Sequence, residues 1–376
     1  MQTIDLQVDG TKMSDLEAPI SVISPQGVRQ TSALLDPFLD DIDRDRVVEL
    51  YTDMVVLRSF DKEAFALTRQ GELALWPPLL GQEASQVASV RGLRDNDWIF
   101  GSYREHAAPL LRGAEPRQWM KTWKTQSFAG WNPHELRVAN CQIIIGAQTL
   151  HATGYAMAAK LQGKDDVAMA CFGDGATSEG DVNEALVFAS TYSAPAIFFC
   201  QNNGYAISEP VEVQAKYPLA QRALGFDIPA YRVDGNDVLA TLGAVRLAAE
   251  RGRNGLGPTF IEAVTYRMGP HTTTDDPGRY RSASETERWA ERDPLLRVER
   301  FLAREGVDVA AVQAEAAERA AAVAHALREE VVSLRPTDSL AMFDHVYTEP
   351  TARLAKQRHQ HQQLAASIVA SGEGSA

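Results

Sequence analysis

The chain has 376 residues, 45% hydrophobic and 23% charged, a balance that excludes a largely disordered or collagen-like polypeptide and is ample for a sizeable core. With 37 Lys and Arg against 50 Asp and Glu the formal net charge is −13, which argues against nucleic acid as the main partner and leaves room for a local basic pocket around a small phosphate. Cys141, Cys171 and Cys200 have no C-x-x-C spacing, and no apolar run approaches the ~18 residues of a membrane helix, so neither a disulfide framework, a zinc site nor a membrane span is expected.

Residues 1–36 are polar, carry Pro19 and Pro25 and stop before Pro37; they read as a flexible N-terminal arm. The first 30 residues hold Asp5, Asp9, Asp15 and Glu17 against Lys12 and Arg29, unlike a signal or transit peptide, and a cytoplasmic protein is expected. Val47, Leu50, Tyr51, Met54, Val55, Phe60 and Phe65 recur at helical spacing over 43–71. Helical patterns follow at 82–93 and 105–124. The loop-rich stretch 126–146 ends in the apolar run Ile143-Ile144-Ile145, and a helix is expected at 147–161.

The middle of the chain alternates strand and helix. Val167–Phe172 reads as a buried strand, 181–192 as a helix, Ala196–Cys200 as the next strand. Tyr231–Val233, a helix over 237–252 and Phe260–Tyr266 repeat the unit. This is the pattern of an α/β fold: a doubly wound, mostly parallel sheet flanked by helices, whose ligands sit beyond the carboxyl ends of the strands. A polar loop spans 268–285, and helices are expected at 294–304 and 308–334. The expected organisation is an arm (1–36), one domain with helical additions (37–350), and a C-terminal helix with a frayed tail (351–376).

Gly173-Asp174-Gly175 follows one predicted strand, and Asn202-Asn203 follows the next, 26 residues later. Neighbouring parallel strands would set Asp174 and Asn203 side by side. A carboxylate, an amide oxygen and a carbonyl of the next turn are hard oxygen ligands, suited to Mg²⁺ or Ca²⁺. One carboxylate leaves such a cation under-neutralised, so a diphosphate would complete its shell, and Gly173 and Gly175 allow backbone to approach it. Either turn alone is commonplace; the joint spacing after two buried strands is specific.

Gly-Asp-Gly, 26 residues, then Asn-Asn is the signature of thiamine-diphosphate enzymes. The fuller text, CFGDGATSEGDVNEA, FFCQNNGYAIS, YRVDGND and TYRMGPHTTTDDPGRYRS, resembles the alpha subunit of the decarboxylating component of 2-oxo acid dehydrogenase complexes, from about residue 45 to about 350. The resemblance implies the thiamine-diphosphate-binding fold of the diphosphate-binding type, with helical N- and C-terminal extensions. It implies thiamine diphosphate and Mg²⁺ as cofactors, the metal held by Asp174, Asn203 and the Tyr205 carbonyl. Gly173, Gly175 and Ala176 would line the diphosphate, and Tyr103 and Arg104 would contact it, the guanidinium fork suiting phosphate oxygens. Ile145 would be the apolar wedge that keeps the cofactor bent, and Ile143 would contribute backbone; a core strand is the plain alternative for this run.

His271 matches a loop histidine at the reaction centre that binds the diphosphate and helps orient or protonate substrate. Arg267, Asp275, Tyr280 and Arg281 match positions that order its loop, Arg267 also lying at the cofactor. Gln201 departs from an arginine of the mammalian branched-chain enzymes, Pro270 replaces a second histidine, and Thr272 stands where those enzymes carry a regulatory phosphoserine. The Ile143 region leans towards pyruvate enzymes, the Gly-Asp-Gly surroundings towards branched-chain ones. The family reaction is decarboxylation of a 2-oxo acid, with transfer of the acyl group to the lipoyl group of an acyltransferase. The implied partners are a beta subunit, which carries the glutamate that activates the cofactor in an α₂β₂ heterotetramer, and the lipoyl-bearing acyltransferase. Branched-chain 2-oxo acids are the expected substrates; pyruvate and acetoin would use the same residues. No G-x-G-x-x-G follows the strand at 167–172, which argues against a nicotinamide dehydrogenase.

Overall fold

The computed structural model describes residues 7–126, 130–335 and 337–371. Five parallel strands form the central sheet: β1 (Trp98–Phe100), β2 (Ala168–Gly173), β3 (Ala196–Asn202), β4 (Ala230–Asp234) and β5 (Thr259–Val264), in the order β1-β2-β3-β5-β4. The registers Gly173↔Gln201 and Asn202↔Val264 bring the carboxyl ends of β2, β3 and β5 level. Alternate residues point to opposite faces of the sheet. Ala168, Ala170, Phe172, Ala196, Phe198 and Cys200 share a core with Ala152 and Ala156 of helix 147–161, and with Val182, Ala185, Leu186 and Ala189 of helix 180–191. Small side chains on both partners let helix and sheet approach closely. Helix Val238–Arg253 covers the other face, Gly252 lying so near Val167 that a Cβ would meet its methyl at 3.0 Å.

Helix Arg44–Arg69 begins where the Asp43 carboxylate accepts the Arg46 N–H at 2.9 Å. The single helix expected at 105–124 is two, Ala107–Leu111 and Pro116–Trp123. Gly113 turns the chain at φ +87°, and Pro116 can only open a helix there. β1 had no signal, since three residues are too few to display a period of two. The Ile143–Ile145 run is no core strand: its side chains are 48%, 67% and 37% exposed.

Residues 20–36 do not form a loose arm. Val22, Ile23 and Leu35 are fully buried, and Ile20 bridges Val233 in parallel. The Val22 and Ile23 N–H groups both donate to Asp237 Oδ2 at 2.6 Å, while Oδ1 of the same carboxylate caps helix 238–253 through the Leu239 and Ala240 N–H groups. Polar composition suggested an arm; a buried acceptor 214 residues beyond Ile23 holds Val22 and Ile23 in the core.

The chain divides into two compact units, 1–332 and 333–376. In the second, a 3₁₀ turn at Ser339–Phe343 precedes helix Ala352–Ser371, and His361 Nε2 lies 2.9 Å from Ser339 Oγ. Among the described residues no helix is long and apolar enough to cross a membrane.

Candidate active site

Beyond the carboxyl ends of β2 and β3 lies a cavity of about 330 Å³. It gathers Tyr103, Arg104, Ile145, Gly173, Asp174, Gly175, Ala176, Asn203, Tyr205, Arg267 and His271 from five separate stretches of chain. Ile143 is not among them; it lines a separate, mostly apolar cavity with Leu75 and Trp123.

Asp174 is 1% exposed, and burial pushes its carboxyl up to about 6. Its Oδ2 accepts from Gln214 Nε2 at 3.2 Å. Asn203 is buried beside it; its Oδ1 accepts the Tyr205 N–H at 3.3 Å. The Tyr205 carbonyl accepts from Arg267 Nη1 at 3.3 Å and retains a second lone pair. Among the described residues no three His, Cys, Asp or Glu side chains gather as a metal cluster. A cation here must therefore be held by one carboxylate with amide and carbonyl oxygens, a set suited to Mg²⁺ only if a ligand adds further oxygens.

The anionic end of such a ligand has its donors. Arg104 Nη1 is anchored on the Pro78 carbonyl at 2.6 Å, and its Nη2 reaches His271 Nδ1 at 3.1 Å and the His271 carbonyl at 3.0 Å. Arg267 spans the Ile207 carbonyl (2.6 Å) and the Tyr280 hydroxyl (2.9 Å), with Nη1 3.4 Å from the same His271 Nδ1. A guanidinium can only donate, so Nδ1 is an acceptor and Nε2 carries the proton. Burial, then Arg104 and Arg267, pull the imidazole down to about 4, so His271 is neutral at physiological pH. Asp275 takes the His271 N–H and the Tyr280 hydroxyl, both at 2.6 Å, and Arg281 clamps the Met268 and Gly269 carbonyls at 2.8 Å. Residues 267–281 are thus ordered by their own charges. Thr272 Oγ1 pairs with Thr274 Oγ1 at 3.2 Å.

Sequence reading missed Gln82 and Glu105, which line the cavity together with Gln148, the last residue of the run that begins at Ile143. Glu105 is held by Gln201 Nε2 at 2.9 Å, which gives Gln201 a partner in place of a phosphate, and burial pushes this carboxyl up to about 7. No sequence signal marks these residues, because a glutamine or glutamate at a helix start is ordinary. Gln82 Nε2, Glu105 Oε2 and Gln148 Oε1 are buried without a protein partner, a state native interiors avoid unless a ligand satisfies it. A Cβ on Gly175 would sit 2.8 Å from the Ala206 Cβ. The orphaned Gln82 donor, the paired guanidiniums and an oxygen set at adjacent strand ends fit a diphosphate with its cation, and the orphaned oxygens of Glu105 and Gln148 call for a donor elsewhere on the ligand.

Residues 51–335 match the family model described as "Dehydrogenase E1 component". The chain is 44% identical over 347 residues to the 3-methyl-2-oxobutanoate dehydrogenase subunit alpha of Mycobacterium tuberculosis, covering 92% of this chain and 94% of that one. It is 38% identical over 324 residues to the pyruvate dehydrogenase E1 component subunit alpha of Staphylococcus aureus, covering 86% and 88%. Sheet, site and similarity over nearly the whole length converge, and the chain belongs to the dehydrogenase E1 component family, the thiamine-diphosphate-dependent 2-oxo acid dehydrogenases.

Proposed function

We propose that this chain is the alpha subunit of an enzyme that oxidatively decarboxylates branched-chain 2-oxo acids, such as 3-methyl-2-oxobutanoate, and passes the acyl group to the lipoyl group of an acyltransferase. The observation that carries the reading is the meeting of Asp174 and Asn203 with Arg104, Arg267 and His271 in one buried cavity. The higher identity to the branched-chain relative, 44% against 38%, supports the substrate.

Thiamine diphosphate supplies the nucleophilic carbon that adds to the 2-carbonyl and the electron sink for loss of carbon dioxide. The chain's own residues do the rest. Asp174, Asn203 and the Tyr205 carbonyl would hold Mg²⁺; Gly173, Gly175 and Ala176 would let the diphosphate close to backbone, and Arg104 and Tyr103 would contact it. Arg267 fixes the Tyr205 and Ile207 carbonyls. Neutral His271 keeps its Nε2–H as a donor, for a phosphate oxygen or the substrate carbonyl, and Ile145 supplies an apolar wall that excludes water. The partner is a beta subunit that completes an α₂β₂ heterotetramer in the cytoplasm.

The test is decarboxylation by the chain co-expressed with that beta subunit, comparing 3-methyl-2-oxobutanoate with pyruvate. A preference of about tenfold or more in kcat/KM for the branched acid, the gain one or two extra methylenes bring to an apolar pocket, is expected. Preference for pyruvate would move the enzyme to pyruvate oxidation, and turnover of neither, with cofactor bound, would point to acetoin. The chain alone is expected to be inactive; full activity without a partner would overturn the heterotetramer.

The raised pKa of Asp174 gives the site a pH dependence of known sign. Mg²⁺ needs the carboxylate, so below about 6 cation binding must expel a proton. Calorimetric titration of Mg²⁺ in the presence of thiamine diphosphate should lose about tenfold in affinity per pH unit there, and level off above pH 7. A flat profile between pH 5 and 7 would contradict the assignment of Asp174 to the metal.

A further inference from the structure

We infer that Gln82 is the positioning residue that holds the Asn203 amide with its oxygen available to the metal; this rests on the reading of Asp174 and Asn203 as Mg²⁺ ligands. An asparagine amide has one coordinating end, and a half-turn about its last bond would present NH₂ to the cation instead. What selects the orientation is a chain of hydrogen bonds that starts from fixed backbone. The Tyr205 N–H can only donate, and it lies 3.3 Å from Asn203 Oδ1. Asn203 Nδ2 must then find an acceptor, and that acceptor is Gln82 Oε1 at 3.3 Å. With Oε1 committed to Asn203, Gln82 Nε2 has no protein partner and is buried in a residue that lines the cavity.

Gln82 is itself held rigidly. It is 1% exposed. Its N–H donates to the Leu79 carbonyl at 2.9 Å, and its carbonyl accepts from Ser85 Oγ at 2.9 Å and the Gln86 N–H at 3.1 Å. The preceding Gly81 sits at φ +96°, where a Cβ would meet the Tyr266 carbonyl oxygen at 2.4 Å. The Gly81 N–H donates to Glu83 Oε2 at 3.0 Å, and Glu83 is locked by Arg58 at 2.7 Å. The far side of Asn203 is pinned too, its carbonyl accepting the Arg267 N–H at 3.2 Å. Partners of this kind orient a ligating group without touching the metal.

The experiment measures the Mg²⁺ concentration that half-saturates thiamine diphosphate binding, by calorimetry, on the full chain co-purified with its beta subunit. Gln82→Met matches the volume and removes the acceptor; Gln82→Asn keeps an amide and withdraws it by one methylene. Both should raise the half-saturating Mg²⁺ about 10- to 100-fold; Gln82→Glu, which keeps an acceptor for Asn203 Nδ2 but gives up the Nε2 donor, should weaken thiamine diphosphate binding itself while leaving the half-saturating Mg²⁺, read at saturating thiamine diphosphate, within about threefold of the parent. Recovery by the carboxylate is what a merely structural role would not show. Asp174→Ala is the reference. If it shifts the Mg²⁺ dependence while Gln82→Met and Gln82→Asn leave it unchanged, the inference about Gln82 fails and the metal reading stands. If Asp174→Ala also leaves it unchanged, the metal reading fails and carries the inference with it.

Discussion

Asp174→Ala is expected to cost at least 10²–10³-fold in decarboxylation, the scale at which a lost electrostatic contact in a buried site is felt, while the proposed α₂β₂ assembly survives. Asp174 is the single carboxylate of the proposed metal set, so its removal leaves neutral oxygens facing a dication. The side chain is buried at the end of β2, and among the described residues its one side-chain hydrogen-bond partner is Gln214 at 3.2 Å. The empty protein should therefore lose little: burial disfavours the charged form there, as the rise to about 6 shows. Activity, Mg²⁺ titration and size-exclusion mass together check this. Lost assembly with retained cofactor binding would instead make Asp174 a structural residue.

Arg297→Met is expected to produce the largest loss of stability, about 3–5 kcal/mol, because it strips the cation from buried carboxylates. Arg297 is fully buried on helix 294–304; its Nη2 donates to Asp234 Oδ2 at 2.9 Å, and its Nη1 donates to the Ile23 carbonyl at 3.2 Å and lies 4.0 Å from Asp237 Oδ2. Without it Asp234 would keep as cation only the half-exposed Arg292, 3.8 Å away, and Asp237 would be left with backbone and hydroxyl donors and, among the described residues, no cation within reach. Urea unfolding should show the drop, and limited proteolysis should open residues 20–36 before the sheet. A midpoint unchanged from the parent would show that backbone donors alone satisfy Asp237.

The helices with a full amphipathic pattern were legible to within two residues: 43–71 is Arg44–Arg69, 147–161 is Ala147–Leu161, and 294–304 is Pro294–Arg304. Their signals are local, a capping Asp, a Pro or, before Ala147, a Gly at one end and a repeat of 3.6 residues between. β2, β3 and β5 were legible for a similar reason, being apolar runs closed by turn residues. β1 and the bridge at Ile20 were not, because pairing over one to three residues has no period to read. Within the site, Asp174, Asn203, Arg104 and His271 stood out through the motifs around them while Gln82 and Glu105 did not. A polar side chain declares nothing about its burial until the fold surrounds it.

By itself the sequence determined the parallel α/β sheet and its family, and the adjacency of Asp174 and Asn203, since both follow from short-range pattern and the order of strands. Only the tertiary structure decided that His271 is neutral with its proton on Nε2, because Arg104 and Arg267 come to its ring from 167 and 4 residues away. Only it decided that Ile143 faces a different cavity from Ile145, and that Val22 and Ile23 belong to the core through Asp237 and Arg297. Each of these rests on desolvation and hydrogen bonding between distant segments, which exist only after the chain has closed around them.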